Sequence, residues 1–175
     1  MFWLLPLIAN VLTVCAFALL ARTTLPMPAA QITAVLVFGL LPRSFQWLIM
    51  GGGVTRSLGA LFGIIAIRYA HVMYQTRQNR HAAAAALFAG LAILSHLEWA
   101  WCLFYSLALL AAFSARSPQM AIQTAGVAFG AGVVSAPWWA TIIYRFGIAP
   151  SRPIGSSPQF TKDCDGVGGR SPIVR

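Results

Sequence analysis

The sequence predicts an all-α fold, a polytopic transmembrane bundle of about six helices. Three observations carry this. Of 175 residues, 59% are hydrophobic and only 9% charged, where an ordinary globular chain carries about 25% charged residues. The mean hydropathy is +0.75. The apolar residues also fall into long runs, and a helix needs about 17–25 of them to cross a bilayer. So little charge cannot wet a surface, which excludes a cytoplasmic enzyme, a coiled coil and a disulfide scaffold.

The elements follow in order. The first helix is expected over residues 2–21, a run closed by Arg22. Pro6 near its start is tolerable, because neighbours in a membrane helix can satisfy the freed carbonyl. The link from Arg22 to Pro28 is short and rich in breakers. The second run, 29–42, is brief and halts at Pro42-Arg43. Further helices are expected over 57–74, over 82–95 beginning in the alanine run, over 99–114, and over 121–136 up to Pro137. The stretch from Trp138 to Ile148 either continues the sixth helix or lies at the interface. Residues 151–175 are another material. Gly, Pro and Ser make 11 of these 25 residues without periodicity, so a disordered tail is expected, unrelated to the rest or frame-shifted.

Charge orients the helices. Excess Lys and Arg mark cytoplasmic loops, and Arg77, Arg80 and His81 follow the third run. With that loop inside, Arg22, Arg68 and Arg116 join it, while Arg43, Arg56 and Arg145 fall outside. The tail's Arg152, Lys162, Arg170 and Arg175 also fall outside and oppose the bias. The residues of the bundle decide the assignment. Trp3, Trp47, Trp99, Trp101, Trp138 and Trp139 all come near the outer boundaries, where indoles favour the headgroup level. The result is a multi-pass membrane protein, with membrane lipid as its first partner.

The basic balance does not point to nucleic acid. The net charge is +9, but the cations come singly between apolar runs, not clustered on a wettable face. Cys15, Cys102 and Cys164 are far apart and make no metal spacing. No cofactor motif is present, so no cofactor and no metal are expected. Gly59-x-x-x-Gly63 and Gly126-x-x-x-Gly130, followed by Gly132, suit close helix contact. They also fit the general glycine enrichment of membrane helices.

Three stretches could carry chemistry. In the first, Gly51, Gly52 and Gly53 precede Val54-Thr55-Arg56-Ser57, with Arg43 upstream. A glycine-rich turn exposing amides before a helix can cradle an anion, and Arg56 offers a donor fork for phosphate. A flexible loop with a snorkelling arginine is the plainer reading of these residues, since the Lys-Ser/Thr ending of a P-loop is missing. The second stretch is Ser95-His96-Leu97-Glu98. An ionisable pair between apolar helices is a functional candidate, as acid/base groups or metal ligands. One His and one Glu are too few for a closed metal site, and a polar surface turn is the plain alternative. The third is Ser135-Ala136-Pro137-Trp138-Trp139, where proline ends a helix and indoles meet the interface. All three lie on the expected outer side.

Together, Met50-Gly-Gly-Gly-Val-Thr-Arg-Ser-Leu-Gly59, Leu94-Ser-His-Leu-Glu98 and Ser135-Ala-Pro-Trp-Trp139 give a chain that resembles bacterial glycosyltransferases of the GT-C type. Protein mannosyltransferases and aminoarabinose transferases are examples, and the resemblance covers about residues 29–150. It implies sugar transfer from a polyprenyl-phosphate donor on the extracytoplasmic face. Basic residues would hold the donor phosphate, a role that fits Arg56 and Arg43, with His96 and Glu98 near the same face. The family's carboxylate in the first external loop has no counterpart, because no acidic residue precedes Glu98. The chain is therefore expected to be a piece of a larger transferase and inactive alone, its catalytic residues unassigned. A non-enzymatic membrane subunit or transporter fragment is the alternative.

Overall fold

In the computed structural model the described residues, 4–41, 53–114 and 117–147, form seven α-helices and no strand. They are α1 (Leu4–Thr24), α2 (Pro28–Leu40), α3 (Gly53–Thr76), α4 (Asn79–Ser95), α5 (Leu97–Ser114), α6 (Pro118–Val134) and α7 (Ala136–Phe146). The chain divides into two units, Met1–Trp138 and Trp139–Arg175. The expected tail, and the residues Trp3, Arg43, Trp47, Gly51, Gly52 and Arg116, lie outside the described residues.

The all-α expectation holds. Three helices, α1, α3 and α5, are long and apolar enough to cross a membrane. A fourth span results if α6 and α7 count as one broken crossing. Among the described residues that gives three to four candidate spans. The second apolar run folds as a helix of only 13 residues, about 20 Å at 1.5 Å per residue and short of the roughly 30 Å hydrocarbon core. The alanine-rich α4 has 17 residues and opens on Asn79-Arg80-His81. The stretch after Ser135 is a separate helix, α7, with its apolar and polar faces well divided.

α3 is the hub, packing against α1, α4 and α5. Ala16 of α1 packs with Leu61 and Ile64, and seven residues on, His71 Nε2 is 3.2 Å from the Thr23 carbonyl oxygen. The two helices therefore run parallel, and α2 returns beside α1 with Phe38 stacked on Phe17. α4 runs back along α3. Ala66 meets Ala89 and Ala92 towards one end, and Ala70 and Met73 meet Ala85 and Ala86 towards the other. Alanine-sized side chains bring backbones close, as membrane helix interfaces require where apolar surface alone supplies no drive.

The α3–α4 turn is braced from α6. Arg77 takes a left-handed conformation, φ 56°, and its N–H donates to the Met73 carbonyl at 2.7 Å. Buried Gln123 donates through Nε2 to the Arg77 carbonyl at 3.0 Å and to Asn79 Oδ1 at 2.8 Å. One turn inward, the Tyr74 and Thr124 hydroxyls lie 2.6 Å apart. Removing that bond with Tyr74→Phe is expected to lower stability by about 0.6 kcal/mol, the average for such pairs in membrane bundles. Denaturant titration in detergent would measure it.

The glycine patterns divide. A methyl on Gly130 would come 2.8 Å from Ala86 Cβ, so this glycine does admit α4. Gly126 and Gly132 have nothing within 4 Å of such a methyl. The tightest approach is at Gly90, where a methyl would overlap Val134 Cβ.

Candidate functional site

The site stands where the first turn of α3 meets the α4–α5 joint. α3 starts at Gly53, four residues before the expected boundary, so Arg56 is on the helix rather than in a loop. α4 and α5 are separated by His96 alone. Its N–H donates to the Ala92 carbonyl at 3.1 Å, closing α4, and its own carbonyl accepts from Ala100 N–H at 3.2 Å, opening α5. An extended backbone at His96, φ −161° and ψ 123°, reverses the chain in one residue. Glu98 then falls in the first turn of α5, where a carboxylate suits the positive end of the helix dipole.

The two stretches singled out in the sequence meet here. Arg56 Nε donates to His96 Nε2 at 3.1 Å, and Arg56 Nη2 lies 3.0 Å from Glu98 Oε2. The Glu98 N–H also points at His96 Nδ1, 3.3 Å away. A neutral imidazole has one bare nitrogen, so in that form His96 accepts from only one of the two donors. The arginine side chain is 24% exposed and the glutamate 64%. The guanidinium is thus held from behind, and its counter-ion faces out.

Gly59 and Trp99 set the spacing. A methyl on Gly59 would stand 3.2 Å from Trp99 Cδ1 and 3.3 Å from His96 Cβ, while at Gly63 the nearest atom, Trp99 Cε3, is 3.8 Å away. The Gly59-x-x-x-Gly63 groove therefore seats an indole, and Trp99 is a packing residue, half-buried on α3. Gly59→Leu is expected to push Trp99 out, part Arg56 from Glu98 and cost about 1–3 kcal/mol by overpacking. Gly63→Ala is expected to be close to neutral. Thermal unfolding in detergent separates the two.

α3 and α5 both follow α4 in reverse, so their N-termini share this end of the bundle. Helix N-termini favour anions, and the resident anion is Glu98. An apolar cavity of about 460 Å³ opens between α3, α4, α5 and α6, lined by Ile93, Ala100, Leu103, Phe104 and Tyr74 among others. Its Ala100 is two residues past Glu98.

Of the sequence-derived site residues, the structure joins Arg56, His96 and Glu98. Gly53 begins the same helix one turn earlier. Arg43, Gly51 and Gly52 lie outside the described residues. Among the described residues no group of three or more His, Cys, Asp or Glu could hold a metal ion. Asn10 was missed: its Oδ1 is buried without a partner, and the register of α1 on α3 puts it level with the first turn of α3. A lone amide inside an apolar span was the available signal. Compared with protein-family models, curated proteins and solved structures, the chain matches none.

Proposed function

We propose that this chain carries the donor-phosphate site of a glycosyltransferase-like membrane protein, which takes a sugar from a polyprenyl phosphate. The observation that carries the reading is the Arg56 guanidinium, backed by His96 at 3.1 Å and facing the outward Glu98 carboxylate at 3.0 Å. Such a fork matches a phosphate, and the N-termini of α3 and α5 add favourable potential at the same end. The apolar cavity between α3, α4, α5 and α6, whose lining includes Ala100, suits a chain-bearing donor. In this reading the protein sits in a bacterial inner membrane with the Arg56 end extracytoplasmic. Glu98 moves aside when the donor phosphate binds. The resemblance assigns the base to a carboxylate in an earlier external loop, so sugar transfer itself belongs to a larger assembly.

The same ion pair supports a second reading, a non-enzymatic membrane subunit in which Arg56–Glu98 merely ties α3 to α5. Equilibrium binding of polyprenyl phosphate to the full chain in detergent separates them. Saturable binding that Arg56→Ala weakens without loss of membrane insertion supports the donor site. Binding unchanged in the variant, or absent from the wild type, leaves the structural tie.

A further inference from the structure

A second arginine, Arg68, stands in a different situation. It lies within the apolar span Val54–Thr76, eight residues before the end of α3, about 12 Å along the axis. α3 has 24 residues, about 36 Å against a hydrocarbon core of roughly 30 Å. The Arg68 Cα is therefore about 9 Å below the headgroup boundary at that end. An arginine stays charged in any protein environment, and a charge at this depth is costly unless it is paired.

The described residues offer it no counter-charge. Its Nε is buried and unbonded. The guanidinium carbon lies 5.5 Å from the Tyr69 ring centroid, a contact that attracts a cation without neutralising it. The chain has three acidic residues. Glu98 is committed to Arg56, twelve residues and about 18 Å up the same helix. Asp163 and Asp165 lie outside the described residues. The Tyr69 ring in turn stacks on Phe88 and lies 6.1 Å from the His81 ring, both on α4. Arg68 follows Ile64 by four residues and precedes His71 by three, on the stripe that packs against α1. Arg22 occupies the last turn of α1 beside Thr23, which His71 contacts.

We propose that Arg68 binds the phosphate of an anionic phospholipid, drawn against α3 from the leaflet at the C-terminal end of that helix. The residue as a whole is only partly buried, so the guanidinium can reach a headgroup by snorkelling along the helix. Basic pockets between membrane helices take anionic headgroups in this way. The proposal does not depend on the donor site, which is at the opposite end of α3.

The test uses the full chain in phosphatidylcholine vesicles, doped with spin-labelled phosphatidylglycerol or spin-labelled phosphatidylcholine. The motionally restricted fraction of each label gives the lipid preference. The wild type is expected to prefer phosphatidylglycerol, and Arg68→Gln to lower that preference about fivefold, the worth of one arginine near the surface. Arg80→Gln removes an exposed charge at the same end and should leave most of the preference. Helical content by circular dichroism verifies that both variants are folded. Equal preference in wild type and Arg68→Gln overturns the proposal, as does equal loss in both variants. Displacement of the restricted lipid by inorganic phosphate would make the ligand a free ion. If Arg68→Gln changed the oligomeric state and left lipid preference intact, the counter-ion would be a carboxylate of another chain, and the lipid proposal would fall.

Discussion

Replacing Arg56 with alanine is expected to cut affinity for polyprenyl phosphate about ten- to hundredfold and to leave membrane insertion intact. A hydrogen bond to a charged group contributes about 1.5–3 kcal/mol, and each 1.4 kcal/mol is about tenfold. The cost in stability is small. The lost partner, Glu98, is 64% exposed and rehydrates, and exposed pairs contribute at most about 1 kcal/mol. Glu98→Gln sharpens the test because the two readings predict different responses. Where Glu98 holds the place of a phosphate, removing its charge opens the fork and raises affinity. Where the pair only ties α3 to α5, Glu98→Gln lowers the unfolding midpoint slightly and leaves phosphate binding unmoved. Isothermal titration of both variants with polyprenyl phosphate in detergent decides.

The second large effect is expected at Gly90. Alanine there overlaps Val134 Cβ and stands 3.1 Å from the Ala131 carbonyl oxygen. A Cβ cannot rotate away, so either α4 and α6 must separate or the last turn of α6 must unwind. Overpacking of this kind costs about 1–3 kcal/mol. The α4–α6 contact also holds Gln123 under the α3–α4 turn, so the loss should spread to that turn. Gly126→Ala is the matched control. No atom lies within 4 Å of its new methyl, and alanine is the better helix former by about 0.8–1.0 kcal/mol. Thermal unfolding in detergent should therefore move down for Gly90→Ala and hold or rise for Gly126→Ala. Because the clash is with a Cβ, Val134→Gly should relieve Gly90→Ala and Val134→Ala should not.

The helix boundaries show where hydropathy misleads. It places the start of the third helix at Ser57, because Thr55, Arg56 and Ser57 interrupt the apolar run. The helix in fact opens at Gly53, and those polar residues form its first turn. The same bias moves the fifth helix past Glu98, although α5 opens at Leu97. Both errors fall on the site residues, since residues able to do chemistry are the ones that break an apolar pattern. The second apolar run shows another limit of hydropathy. Hydropathy locates apolar runs, but whether a run crosses a membrane depends on its helical length, and 13 residues in α2 do not reach.

Composition alone determined that this chain is helical and apolar enough for a membrane. With so few charges the backbone must satisfy itself, and a helix does so within one segment. Residue type also marked Arg56, His96 and Glu98, the polar exceptions in an apolar chain. Their meeting across forty positions was decided by the tertiary structure alone. The long helices are apolar nearly all round, so no stripe in the sequence states which face turns inward. Rotation and register are set instead by where backbones can approach: at Gly59 under Trp99, at Gly90 under Val134 and at Gly130 under Ala86. Those contacts belong to pairs of helices, and no single segment of the sequence contains them.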